Sequence, residues 1–188
     1  MIIAISGKIG SGKTTVTEFL IKNLKDYNFK KKSFAYNVKK ICSILTGQPL
    51  YKFKSREGKS EYMSDWKLTI GQIQPLLAED CIRKNLSPDA WVISLFATYN
   101  KECNWIVDDL RYRNEFSYLK EHGAILVRLN GDPYSLNSKD SRNKNHISEV
   151  DLDDCKEFDI YFQNEPPIEN LNKLLELILL EIKKRELN

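Results

Sequence analysis

Apolar positions along this chain change period repeatedly, from short unbroken runs to a spacing of three and four. The runs at 2–6, 104–107, 124–129 and 158–162 predict buried strands, and 33–36 predicts a shorter one. Helical spacing fills the gaps between them. Val16, Phe19, Leu20 and Leu24 share one face of a helix that reaches about Tyr27. Asn37 is placed to cap a second helix through Val38, Ile41, Cys42 and Leu45, which ends near Gly47. Ile70, Ile73, Leu77 and Cys81 predict a helix over 69–86, in which Pro75 either makes a kink or starts a new helix. Ser87-Pro88-Asp89 opens the next, with Trp91, Val92, Leu95, Phe96 and Tyr99 on its apolar face. Phe116 and Leu119 mark another helix that Gly123 terminates. After Pro166-Pro167 a last helix carries Leu171, Leu174, Leu175, Ile178 and Ile182.

Strands alternating with helices predict right-handed crossovers and a three-layer α/β/α architecture over a mainly parallel five-stranded sheet. In such a sheet ligands collect at the carboxyl ends of the strands, where Gly7, Tyr36, Asp108, Asp109 and Asn130 fall. Three stretches break the pattern. Lys30-Lys31-Lys32 reads as a solvated turn, 130–154 as a polar insertion, and 48–67 as aperiodic polar, basic and aromatic chain. A stretch as long as 48–67 is either a functional loop or a flexible surface one.

The first strand runs straight into Gly7-Lys8-Ile9-Gly10-Ser11-Gly12-Lys13-Thr14-Thr15, and the first helix follows at once. This is the full G-x-x-x-x-G-K-[ST] pattern in the strand-to-helix setting it requires. Glycines let successive backbone N–H groups converge on phosphate oxygens, and the helix N-terminus adds partial positive charge. Lys13 would reach the terminal phosphates and Thr14 would offer a hydroxyl to Mg²⁺. The glycine order excludes the dinucleotide fingerprint G-x-G-x-x-G.

Composition narrows the setting. With 188 residues, 41% of them hydrophobic, the chain suits one domain spanning 1–188. A net charge of +3 with dispersed lysines and arginines fits small anionic ligands and argues against a nucleic-acid partner. Cys42, Cys81, Cys103 and Cys155 form no C-x-x-C and have no histidine at metal spacing, so they read as reduced thiols. No leader is visible and no apolar run approaches the roughly 18 residues of a membrane span, so a cytoplasmic protein without a membrane partner is expected.

A phosphate loop alone says only that a nucleoside triphosphate is held. Asp108 and Asp109 close a buried strand, where this architecture places a carboxylate that holds Mg²⁺ through water; capping of the next helix is the other reading. Arg83, Arg111, Arg113, Arg128 and Arg142 supply cations near the predicted rim. Transfer between two phosphates needs such cations, and arginine's planar fork suits the task. A phosphate acceptor needs no general base, and the sequence offers no obvious one. His122 stands beside a helix-ending glycine, while His146 is placed to orient or contact ligand.

The chain resembles the deoxynucleoside monophosphate kinases of phages and related viruses, in the nucleoside monophosphate kinase-like group of P-loop proteins. Beyond the loop, the resemblance rests on Phe34-Ala35 with Lys39, Arg56-Glu57-x-Lys59, Thr69-x-x-Gln72 continuing to Asp80-x-x-Arg83, and Asp89-x-Trp91-Val92. It continues through Asp109-x-Arg111-x-x-Asn114-Glu115 and His146-x-Ser148-Glu149 to Phe158-Asp159. It implies ATP and Mg²⁺ as cofactors, with Gly7, Lys8, Gly10, Ser11, Gly12, Lys13, Thr14 and Thr15 around ATP, and Thr14 and Asp108 at the metal. It implies that Lys39, Lys59, Arg83 and Arg111 surround a deoxynucleoside monophosphate, with Phe34, Ala35, Gln72, Trp91, His146 and Glu149 also lining the acceptor site. Asp109 would serve the metal or the acceptor, 37–100 would be the acceptor-binding region, and 130–154 would be a lid with Arg142 as its charge-stabilising finger. Partners would be small nucleotides, a homodimer is allowed, and a viral protein would act in the host cytoplasm.

Two positions depart from the family: Gly71 where an arginine is usual, and Pro75 where a glutamine is typical. Phosphomevalonate and dephospho-coenzyme A kinases resemble the chain over the phosphate loop, the former also over Ser148-Glu149 to Asp159. A nucleotide-dependent switch is the reading from another class. Its guanine motif, Asn-Lys-x-Asp, is begun but not completed by Asn143-Lys144-Asn145-His146.

Overall fold

The computed structural model describes residues 1–133 and 146–187. Strand β1 (Ile2–Gly7) lies at the centre of the main sheet because all six of its residues are buried, with neighbours on both edges. The other strands are β2 (Lys30–Lys32), β5 (Trp105–Leu110), β6 (Ile125–Asn130) and β7 (Ile160–Gln163), and a separate short pair is formed by β3 (Tyr62–Met63) and β4 (Leu68–Thr69). The main sheet has the order β2-β5-β1-β6-β7 and every pairing in it is parallel. The expected five-stranded three-layer architecture is therefore present, with a sheet that is wholly parallel.

The chain divides into two compact units, one comprising Met1–Lys32 and the residues from Asn100 onward, the other Ser33–Tyr99. In the first unit, Ile3 and Ile5 of β1, Ile106 of β5, Ile125, Val127 and Leu129 of β6, and Ile160 and Phe162 of β7 share one buried cluster. Helices α1 (Lys13–Asn23) and α8 (Leu171–Glu186) close it with Val16, Leu20, Leu174, Ile178 and Ile182. These are the apolar positions whose helical spacing stands out in the sequence. The alternate residues face the other way, toward α6 (Arg113–Glu121), which contributes Phe116 and Leu119 and packs Phe116 edge-on against Phe158 at 4.9 Å. Leu20 is wholly buried between α8 and the sheet. Leu20→Ala is expected to cost about 2–5 kcal/mol through lost burial and the cavity left behind, read as a lowered urea midpoint.

One irregularity interrupts β5. Ala4 of β1 pairs with Val107, but Ser6 pairs with Leu110, so Asp108 and Asp109 together stand opposite Ile5. This β-bulge falls on the acidic pair, and bulges beside functional sites re-aim side chains.

The second strand differs from expectation. Lys30–Lys32 forms β2 instead of a turn, and 33–36 opens helix α2 (Phe34–Thr46), with Ser33 at its N-cap. Tyr36 thus lies in a helix and not at a strand end. The lysines are tolerated because β2 is an edge strand, where charge is favoured. Lys31 pairs with Asp108 at 2.6 Å, and the Lys32 ammonium lies 4.7 Å from the centre of the Trp105 ring.

The second unit packs α2 with α5 (Ala90–Phe96) and α4 (Ile70–Pro75) around Phe34, Val38, Cys42, Phe53, Ile70, Ile73, Trp91 and Val92. Residues 48–67 are ordered here: a 3₁₀ turn over Leu50–Phe53, helix α3 (Arg56–Ser60) and the β3–β4 pair occupy them. Ser55 caps α3 by accepting the Gly58 N–H at 3.0 Å, and Phe53 is fully buried. The expected helix over 69–86 is helical in two forms, α-helical to Pro75 and π-helical over Leu76–Arg83. Proline has no N–H for the α-helical ladder, which accounts for a change of hydrogen bonding at that point.

Candidate active site

The loop between β1 and α1 is built from two left-handed glycines, Gly10 at φ 85° and Gly12 at φ 82°, the latter forming the N-cap of α1. A side chain at Gly12 would be strained by that φ and would meet the Asn164 amide at 2.4 Å. Lys13 folds back over the loop and donates to the Gly7 carbonyl at 2.5 Å and the Lys8 carbonyl at 2.8 Å. Thr14 is exposed in the first turn of α1, while Ser11 is buried and Thr15 half-buried.

Lys13 is the electrostatic centre of this region. Its pKa is lowered from the ordinary lysine value to about 7, first by burial and then by the Arg111 guanidinium, against the opposing pull of the Glu149, Asp108 and Asp109 carboxylates. Both acids of the β5 bulge therefore act at Lys13, which a regular strand, sending neighbours to opposite faces, would not favour. Asp108 is buried and carries the ion pair to Lys31, whereas Asp109 is half-buried.

Arg111 follows β5 and is held from both ends. Its backbone N–H donates to the buried Glu115 carboxylate at 3.0 Å, as does that of Tyr112 at 3.2 Å. Its Nη1 donates to the Ser148 carbonyl at 3.2 Å and to Glu149. Among the described residues its Nε and Nη2 make no hydrogen bond. Glu149 also accepts the Ile9 N–H at 2.9 Å, so one carboxylate joins the phosphate loop to Arg111.

Glu149 belongs to an acidic strap over 149–154. Asp153 accepts from Lys8 and from Arg128, each at 2.7 Å, Asp151 accepts the Arg113 backbone N–H at 2.8 Å, and Asp154 pairs with the Arg113 side chain. Arg128, nearly buried on β6, also donates to the Ser6 hydroxyl at 2.9 Å. His146 caps helix α7 (Ile147–Val150), its Nδ1 lying 2.9 Å from the Ser148 hydroxyl. Arg142 and residues 134–145 lie outside the described residues.

Phe34, Ala35, Lys39, Lys59, Gln72, Arg83 and Trp91 belong to the second unit. Phe34 is buried in the first turn of α2, beside the half-buried Ala35, and Lys39 stands half-buried further along the same helix. Lys59, on α3, is half-buried as well, and a Cβ on Gly71 would lie 2.9 Å from its carbonyl. The close approach of α3 to α4 thus explains why an arginine is absent at Gly71. Gln72 completes a capping box with Thr69, and the Trp91 indole donates to the Ala78 carbonyl at 3.2 Å. Arg83 donates to the Pro88 carbonyl at 3.0 Å and lies 3.4 Å from the Glu79 carboxylate.

Asp153 and Asn164 were not legible as site residues, and Glu115 was read only as part of the Asp109-to-Glu115 motif, without a role of its own. Asn164, just past β7, is buried and donates to the Ser11 carbonyl at 2.8 Å across 153 positions of sequence. Beside it a cleft of about 140 Å³ is lined by Thr15, Pro133, Asn164, Glu165, Pro166, Ile168 and Leu171. Among the described residues no three His, Cys, Asp or Glu side chains converge as a metal cage, and no helix is long and apolar enough to cross a membrane.

No family model matches the chain. A protein of Acanthamoeba polyphaga mimivirus, named "Putative deoxynucleotide monophosphate kinase", is 29% identical over 187 aligned positions that cover 90% of this chain and 91% of that protein. The wholly parallel sheet, the phosphate loop at its centre and this end-to-end similarity all place the resemblance where the motifs had put it, with the viral deoxynucleotide monophosphate kinases.

Proposed function

We propose that the protein is an ATP- and Mg²⁺-dependent kinase that transfers the γ-phosphoryl group to a deoxynucleoside monophosphate, releasing ADP and the diphosphate. The observation that carries this reading is the meeting of Lys13, Arg111 and the Asp108-Asp109 pair at the phosphate loop, in a chain similar throughout to a protein bearing that name. Lys13 and the amides of Gly10, Gly12, Lys13 and Thr14 hold the donor phosphates. The cleft beside Thr15, with apolar walls from Pro133, Pro166, Ile168 and Leu171, suits the flat base of the donor.

Magnesium held together with a nucleotide takes only one or two protein oxygens, the rest coming from phosphates and water. The Thr14 hydroxyl and the carboxylates of the β5 bulge fit that donor set, and the ion would neutralise charge on the donor phosphates. Arg111, anchored through Nη1, presents Nε and Nη2 to the acceptor phosphate. By the resemblance, Lys39, Lys59 and Arg83 are the second unit's own candidates for binding a phosphate-bearing acceptor.

The test is ADP formation from ATP and Mg²⁺ with each deoxynucleoside and ribonucleoside monophosphate, and with phosphomevalonate and dephospho-coenzyme A. Turnover that depends on one or a few deoxynucleoside monophosphates is expected. Turnover only with phosphomevalonate or dephospho-coenzyme A would replace the acceptor class. If no acceptor raises ADP formation above the rate with ATP alone, the kinase reading falls and that of a nucleotide switch takes its place.

A further inference from the structure

Asn164 is a buried amide with a single task. It is 6% exposed, follows the last residue of β7, and sends its Nδ2 to the Ser11 carbonyl at 2.8 Å. Its own N–H donates to the Asn130 carbonyl at 2.9 Å, which extends the β6–β7 pairing by one step and holds the residue in place. Two glycines make room for it. A Cβ on Gly12 would lie 2.4 Å from its Nδ2, and a Cβ on Gly131 would lie 2.4 Å from its carbonyl oxygen.

The peptide joining Ser11 to Gly12 is planar, so its C=O and N–H point in opposite directions. With the carbonyl drawn to Asn164, the Gly12 N–H is turned away from β7, and among the described residues nothing accepts it. This peptide is also an easy one to flip, because glycine populates positive and negative φ about equally. A flip would exchange the N–H for a carbonyl oxygen, which repels phosphate.

We propose that Asn164 is a positioning residue that locks the Ser11–Gly12 peptide so that the Gly12 N–H is presented to the donor phosphates. The proposal rests on the reading of the loop as a triphosphate site. It gives the end of β7 a part in donor binding.

The test measures ATP affinity by titration calorimetry, without acceptor, for the full chain and for Asn164→Ala and Asn164→Asp. Loss of the anchoring bond is expected to weaken ATP binding about tenfold in the alanine variant and more in the aspartate variant, whose carboxylate cannot donate and repels the Ser11 carbonyl. The same loss is expected for inorganic tripolyphosphate, which has no base to seat in the neighbouring cleft. In steady-state assays the KM for ATP should rise while that for the acceptor stays unchanged, a split that general destabilisation would not produce. Should the variants fail to fold, the Gly12 amide proton of the unaltered protein decides: it should move downfield on ADP binding. Failure of the unaltered protein to bind ATP would overturn the kinase reading itself. Binding of ATP by the folded variants within twofold of the unaltered protein, or an unmoved Gly12 resonance, would overturn the role of Asn164 alone.

Discussion

Lys13→Met is expected to lower turnover by at least about 10²-fold while leaving the fold intact, because it removes a flexible cation held directly over the loop between β1 and α1. The stability consequence runs the other way. Lys13 has a folded-state pKa of about 7 against an ordinary value of 10.5, so between those pH values the unfolded chain binds more protons than the folded one. The stability of the unaltered protein should therefore rise with pH across that window. The penalty is fully present below about pH 7 and disappears above about pH 10.5. Methionine keeps the stem and discards the charge, so that part of the pH dependence should vanish. Urea midpoints at several pH values, measured for both proteins, check this. Phosphate bound at the loop favours the charged lysine, so ATP binding near pH 8 should take up a proton, visible as a buffer-dependent heat in calorimetry. Equal turnover in a folded Lys13→Met variant would refute the donor site.

Arg111→Ala is expected to cost about 10³-fold in kcat/KM for the acceptor, the scale of an arginine that stabilises a transferring phosphoryl group. It also carries a signature that loss of a surface arginine would not. The guanidinium is a principal neighbour depressing the Lys13 pKa, so its removal, with Glu149, Asp108 and Asp109 still present, should move the pH midpoint of ATP binding upward. Arg111→Lys keeps a charge but loses the planar fork, and should recover the pH midpoint better than the rate. If ATP binding titrates identically in the alanine variant and in the unaltered protein, the electrostatic link between Arg111 and Lys13 does not operate.

The parts of the fold that were legible are those whose reason is local. Val16, Leu20, Leu174, Ile178 and Ile182 repeat at helical spacing because one helix face meets the sheet, and the strand at 2–6 is apolar because it is buried on both sides. The second strand was not legible, since three lysines form it only by pairing with Trp105, Ile106 and Val107 at the sheet edge. The stretch 48–67 misled because its elements are too short to show a period, although Phe53 and Met63 are core residues. Within the candidate site, the glycine loop is a contiguous motif, and its place between β1 and α1 was readable. Asn164, Asp153 and Glu115 act through bonds to distant or backbone atoms, and a lone asparagine after a strand carries no mark of that.

The bulge in β5 fixes more than the direction of two carboxylates. Ahead of it Ile106 faces α1 and α8; beyond it Leu110, though four positions on, pairs with Ser6 and is buried on the α6 side. The bulge absorbs the additional residue, so that Leu110 keeps the face of Val107 although plain alternation over three positions would turn it over. Losing one residue between Val107 and Leu110 would restore plain alternation with Leu110 still opposite Ser6 on its present face, but would leave a single residue opposite Ile5 in place of the acidic pair. The chemistry of either aspartate can be altered by substitution, but the number of residues there decides how many carboxylates stand opposite Ile5, and any redesign of this rim has to preserve that count.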